Sequence, residues 1–160
     1  MTAKERILGA LMGVAYGDAM GMPPEFFTRP QILEKFGEIK ELLPGHPDSF
    51  ISSAFQAGDV TDDTLTTLMV SEMLIENGGK VDPVRFVERL RAWAGQAGKS
   101  KQVIGPSTRA ALEKIAQGAD MEEAGKTGVT NGAAMRVSPL GMIANMDDLP
   151  ALVEQVRLLC

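Results

Sequence analysis

The sequence predicts an all-α fold, on three observations. Apolar residues recur at three- and four-residue spacing through most of the chain, and alternation at period two is nowhere sustained. Pro, Gly and Asp punctuate the chain at helix-length intervals.

Taken in order, Lys4 to Ala19 carries Ile7, Leu8, Leu11, Met12 and Ala15 at helical spacing, and Pro23-Pro24 stops it. Gly13, Gly17 and Gly21 form one stripe of that helix, which permits close approach of another backbone or of a ligand. Arg29 to Phe36 reads as a short helix with Pro30 in its first turn, and residues 43–48 as a Pro/Gly loop. Residues 61–76 make the clearest helix, with Leu65, Leu68, Met69, Glu72 and Ile75 spaced three or four apart and Asn77-Gly78-Gly79 ending it. Asp82-Pro83 caps the next, with Val84, Val87, Leu90 and Ala94 along one side. Gly105-Pro106-Ser107 opens a helix to Gln117, closed by Gly118, and a further helix is expected from Ala133 to Asn145, interrupted at Pro139. Asp148 and Pro150 start the last, with Leu149, Leu152, Val153, Val156 and Leu159 on one face. Its apolar ending, Leu158-Leu159-Cys160, favours a helical bundle that is incomplete in this chain, with residues 1–160 as one domain.

Composition narrows the function classes. No run of 18 apolar residues is present, so a membrane span is not expected. The one cysteine, Cys160, cannot form an internal disulfide, and no secretory signal is legible, so the expected compartment is the cytoplasm. A net charge of −5, scattered basic residues and 5% aromatics argue against a nucleic-acid groove. Small anionic substrates fit only if a metal ion supplies positive charge locally.

Three segments concentrate chemistry. Asp59-Val-Thr61-Asp62-Asp63-Thr64 gathers three carboxylates and two hydroxyls at the start of the clearest helix. That much negative charge needs an offset: the helix N-terminus offers about half a positive charge, and a divalent cation far more. Oxygen-only donors suit Mg²⁺, Ca²⁺ or Mn²⁺ rather than zinc. The plainer alternative is an N-cap threonine followed by first-turn acids. In the second segment Asp18 is a lone charge in a small, apolar stretch and needs a partner, and Glu25 follows a Pro-Pro turn. Taken by itself, the segment is more simply explained by tight helix packing plus a surface glutamate. In the third, Asn131-Gly132 leads into a helix and presents free N–H groups to phosphate or ribose oxygens, as does the Gly105–Ser107 start. Arg136 reads as an ion-pair partner or a surface charge.

Together, in this order and spacing, the segments resemble the ADP-ribosylglycohydrolase family, which includes the enzyme that removes ADP-ribose from dinitrogenase reductase. Gly17-Asp18 through Glu25 matches a G-D-x-x-G-x-x-x-E pattern, Thr61-Asp62-Asp63-Thr64 a T-D-D-T pattern, and Asn131 through Pro139 an N-G-x-x-M-R-x-x-P pattern. The resemblance implies an all-α fold and a site with two Mg²⁺ ions (Mn²⁺ being an alternative) that grips ribose hydroxyls. Thr61, Asp62 and Asp63 would be metal ligands and Glu25 the catalytic group. Asp18, Gly105, Ser107, Asn131 and Gly132 would lie on the substrate, with Asp59 behind the ligands. The family's second D-x-D-T segment is absent, so half of the expected ligand set would come from a missing C-terminal segment or a second chain. Thr130 also stands where many members have glycine.

The implied activity is Mg²⁺-dependent hydrolysis of a ribosyl bond, in ADP-ribosylated protein or a small ADP-ribose-containing ligand, with Glu25 positioning water or moving a proton. Two other readings stand beside it: a nucleosidase-like N-ribosyl hydrolase, and a non-catalytic scaffold or remnant.

Overall fold

The structure is a computed structural model and describes residues 1–96 and 103–160. It is all-α, and no strand forms among the described residues. Eight α-helices are present there: α1 (Ala3–Gly21), α2 (Arg29–Lys35), α3 (Asp62–Glu76), α4 (Pro83–Ala94), α5 (Pro106–Ala116), α6 (Met121–Gly125), α7 (Ser138–Ile143) and α8 (Leu149–Leu159), with a 3₁₀ turn at Ala134–Arg136. None is long and apolar enough to cross a membrane.

The helix starts follow local chemistry. Thr2 and Glu5 satisfy each other's backbone N–H at the head of α1. Asp82, Asp120 and Asp148 each accept a hydrogen bond from a first-turn N–H of α4, α6 and α8. Proline sits in the first turn of α2, α4, α5, α7 and α8, where its missing N–H costs nothing. Gly78 and Gly79 both take positive φ, and the Gly79 N–H closes α3 onto the Leu74 carbonyl.

α3 is the hub, packing against α1, α4, the 3₁₀ turn and α7, while α8 closes the far side against α4 and α7. The core is continuous across these elements: Val70, Met73 and Leu74 of α3 meet Phe86, Leu90 and Trp93 of α4, Leu140 of α7 and Leu159 of α8.

The sequence misplaces several faces. α3 does not turn the whole Leu65–Leu68–Met69–Ile75 stripe inward: Leu65 and Met69 pack partly buried against the core, Leu68 faces out and Ile75 is 81% exposed, while the fully buried face is Thr66, Thr67, Val70, Met73 and Leu74. The threonines can go inside because their hydroxyls donate back to the carbonyls of Asp62 and Asp63, both at 2.7 Å. On α4 the buried face centres on Phe86, Leu90 and Trp93, leaving Val84 exposed. On α8 Leu149 and Val153 face out, and Leu152, Val156 and Leu159 face in. The apolar side of α1 stays open among the described residues: only Ala19 is buried, and Leu8, Met12 and Tyr16 are more than half exposed. A Cβ added at Gly13, Gly17 or Gly21 would meet no atom within 4 Å, so the glycine stripe receives no neighbour there. The helix expected over 133–145 is two elements, the 3₁₀ turn and then α7, with the break before Ser138 so that Pro139 falls in a first turn.

Candidate active site

The site is assembled where the C-terminal turns of α1 and the head of α3 meet. The start of α3 is not capped by its own Thr61 side chain. The cap comes from α1. Asp18 Oδ2 accepts from the backbone N–H of Thr61 at 2.8 Å and of Thr64 at 3.1 Å. The hydroxyls of both threonines also donate to Asp18, at 2.7 and 2.6 Å. Four hydrogen bonds come close to filling an ionised carboxylate's acceptor capacity, and a negative charge here meets the positive end of the α3 dipole. The charge in the small, apolar stretch of α1 therefore finds partners at the N-terminus of α3. The sequence reading puts Asp18 on the substrate; in the structure both of its oxygens accept hydrogen bonds from the head of α3.

Asp62 and Asp63 follow in the first turn, where each carboxyl also accepts a hydrogen bond from its own backbone N–H. Both are only partly exposed. Burial, followed by repulsion from Asp63, raises the Asp62 carboxyl to about 7, with Glu25 and Asp18 adding to the effect. Burial and then Asp18 raise Asp63. Glu25, whose side chain still reaches solvent, is raised by partial desolvation and then by Asp63 and Asp18. The charges that raise these three groups are all carboxylates, so the cluster carries an excess of negative potential at the head of α3. Asp62 and Asp63 thus share their surroundings with Glu25, which the Met22–Phe27 turns after α1 bring back towards α3.

This donor set suits a hard divalent cation. Thr61, Asp62 and Asp63 offer oxygen only, and Mg²⁺ is commonly held by one or two carboxylates with its remaining positions on water or substrate oxygens. Among the described residues no three His, Cys, Asp or Glu side chains converge into a ready-made metal cage. A cation here would therefore take part of its coordination from elsewhere.

The other expected residues form a second group. Ser107 Oγ, at the head of α5, accepts from the Val129 N–H at 3.2 Å, and a Cβ on Gly132 would stand 3.5 Å from Thr108 Oγ1. The Gly105–Ser107 start and the 128–132 loop are thus brought together. A Cβ at Gly105 would meet nothing, and Asn131 is exposed. The 3₁₀ turn that follows packs on α3, where the Thr67 hydroxyl reaches the Met135 carbonyl at 3.3 Å. Asp59 accepts from the Gln56 N–H at 2.8 Å in the turn before α3.

Ser107 and Gly132 also line a cavity of about 550 Å³ between α4, α5, α6 and α8. Neither Glu25, Asp62 nor Asp63 reaches it. Its walls are largely apolar, and the carboxylates of the first two motifs lie outside it. Arg136 is not a surface charge, and among the described residues it forms no ion pair. It is buried, stacks over the Phe86 ring at 4.7 Å from the centroid and donates to the Leu159 carbonyl at 2.8 Å. Thr64, part of the T-D-D-T segment, bonds Asp18 through both its N–H and its hydroxyl, and Thr67, which the sequence reading does not single out, ties α3 to the 3₁₀ turn.

The family profile for ADP-ribosylglycohydrolase matches residues 1–160. An uncharacterized protein YegU of Escherichia coli (strain K12) is 41% identical over 155 residues, covering 96% of this chain and 46% of that protein. The ADP-ribosyl-[dinitrogen reductase] glycohydrolase of Rhodospirillum rubrum is 29% identical over 159 residues, 96% of this chain and 51% of the enzyme. The ADP-ribosylarginine hydrolase Tri1 of Serratia proteamaculans (strain 568) is 32% identical over 114 residues, 69% of this chain and 28% of that enzyme. The chain spans about half the length of the first two, and less of the third. With matching sequence, an all-helical architecture and the carboxylates of the first two motifs gathered at one helix start, the chain belongs to the ADP-ribosylglycohydrolase family.

Proposed function

We propose that this chain carries one half of a divalent-metal site in a hydrolase that cleaves the bond between ribose and its leaving group, in ADP-ribosylated protein or a small ADP-ribose derivative. The observation that supports this most directly is the raised, mutually repelling set of Glu25, Asp62 and Asp63, held in place by Asp18. Such a set is unstable on its own, and a cation relieves it.

In this reading Thr61, Asp62 and Asp63 hold Mg²⁺, with Mn²⁺ as a substitute, and the remaining donors are water, ribose hydroxyls and oxygens from outside these 160 residues. When bound, the metal supplies Lewis acidity and an anchor for the ribose diol. Asp18 fixes the head of α3 so that Asp62 and Asp63 keep one geometry. Glu25, at the solvent edge, orients the attacking water and takes its proton, a task its raised pKa suits. Asp59 shapes the turn that delivers Thr61. The Gly105–Ser107 and Asn131-Gly132 segments present backbone N–H groups on the nucleotide side.

The test is calorimetric titration of the chain with Mg²⁺, then release of ADP-ribose by the complete protein from ADP-ribosylated protein, a small ADP-ribose derivative and free nucleosides. Binding is expected to tighten as pH rises through about 7, because Asp62 must lose its proton to accept a metal. Asp62→Ala and Asp63→Ala should each abolish both binding and release. Undiminished Mg²⁺-dependent release in either variant would remove that residue from the site, and release from nucleosides alone would change the substrate class.

A further inference from the structure

We infer that the cavity between α4, α5, α6 and α8 is the seat of an apolar segment from outside these 160 residues, whose one carboxylate pairs with Arg136. This seat is separate from the carboxylate cluster at the head of α3. Arg136 lines the cavity, yet it is only 8% exposed. One of its terminal nitrogens donates to the Leu159 carbonyl, and its guanidinium lies over the Phe86 ring. Its Nε–H finds no acceptor among the described residues. A carbonyl and a ring face solvate a guanidinium in part, but neither carries a full negative charge, and arginine cannot shed its own. Burial presses its pKa down, and Cys160 at the chain end is the group that counters this. A buried charge with an idle donor calls for an anion.

The other walls of the cavity define what the anion is attached to. Its volume is about 550 Å³, and Leu90, Leu112, Ile115, Leu158 and Leu159 are among its lining. Leu90 and Leu159 belong to the core, and Leu112 and Leu158 pack against it, so an apolar guest here extends the existing core. A free small anion is the poorer occupant. The exposed cations Lys126 and Arg157 already pair with Glu123 and Glu154, and Glu122 adds a further negative charge, so nothing at the mouth draws a diffusing anion inward. A carboxylate carried on an apolar segment needs no such steering, because burial of its neighbours supplies the driving force. The relatives named above, of which this chain spans about half or less, have the length to provide that segment.

The experiment uses hexanoate as the probe, with hexanol and hexylamine as its neutral and cationic counterparts. It follows the methyl signals of Leu90, Leu112 and Leu158 by NMR, with circular dichroism confirming the fold of each variant. In the 160-residue chain hexanoate should shift these signals and bind about tenfold more tightly than either counterpart. Arg136→Met, which keeps length but drops the charge, should erase that preference, and Arg136→Lys should restore part of it. In the complete protein the seat is taken, so hexanoate should shift none of the three leucines. No response to hexanoate in the 160-residue chain, or equal binding of hexanol, would overturn the inference. Undiminished hexanoate binding in the complete protein would overturn it too, and would make the cavity a site for a free carboxylate.

Discussion

Asp62 shows how a single side chain reports on its surroundings. Its folded-state pKa of about 7 stands above the ordinary 3.8. Between those values the folded chain holds a proton that the unfolded chain has released, so metal-free stability falls as pH rises through that window and stays low above it. From about pH 4 to pH 8 the loss should be on the order of 2–4 kcal/mol, read from urea melts, with Glu25 and Asp63 acting in the same direction. Asp62→Asn should flatten that slope, and saturating Mg²⁺ should offset it in the parent chain. A slope unchanged by Asp62→Asn would mean the carboxyl is not where the geometry puts it. Asp18 makes the complementary case. Asp18→Ala strands two backbone N–H groups and two hydroxyls and should cost about 2–4 kcal/mol in denaturant melts, with weakened Mg²⁺ binding. Asp18→Asn keeps acceptor capacity on one oxygen and should cost less.

At the scale of the element, α3 settles which of its sides is the inner one. Val70 and Met73 are fully buried and Ile75 is open, so hydrophobicity alone does not rank them. In this chain Met73→Ala should cost about 3 kcal/mol, while Ile75→Ser should stay within about 0.5 kcal/mol, both from chemical denaturation. Equal losses would return the Leu68–Ile75 stripe to the core. The existence and limits of α3 were legible, because Thr61, two first-turn acids and a Gly-Gly terminator bracket a helical run. Its orientation was not. Threonine counts as polar in a pattern, yet Thr66 and Thr67 satisfy their hydroxyls within the helix and can be buried without an outside partner. The split of 133–145 had a local cause, Pro139, which the sequence marked as an interruption without showing that it would sit in the first turn of a new helix.

Across the whole molecule, the core joins α3, α4, α7 and α8, while the outward side of α1 stays uncovered among the described residues. Arg136 ties the end of α8 back to the 3₁₀ turn through the Leu159 carbonyl while stacking on Phe86 of α4. Arg136→Ala should therefore raise hydrogen exchange in α8 before it lowers global stability, by about 1–3 kcal/mol locally. Uniform loss of protection would assign Arg136 to the core at large. By itself the sequence determined the helical class, the starts of six of the eight described helices (α6 was not foreseen and α7 was placed five residues early), and the three motif segments, because caps, prolines and spacing act within a few residues of one another. Only the tertiary structure decided that Asp18 caps α3 from another helix, that Phe26 and Phe50 meet beside Glu25, and that Arg136 is interior. Each of those depends on groups from 23 to 46 positions apart in the chain, whose meeting is set by how helices pack and not by any local pattern.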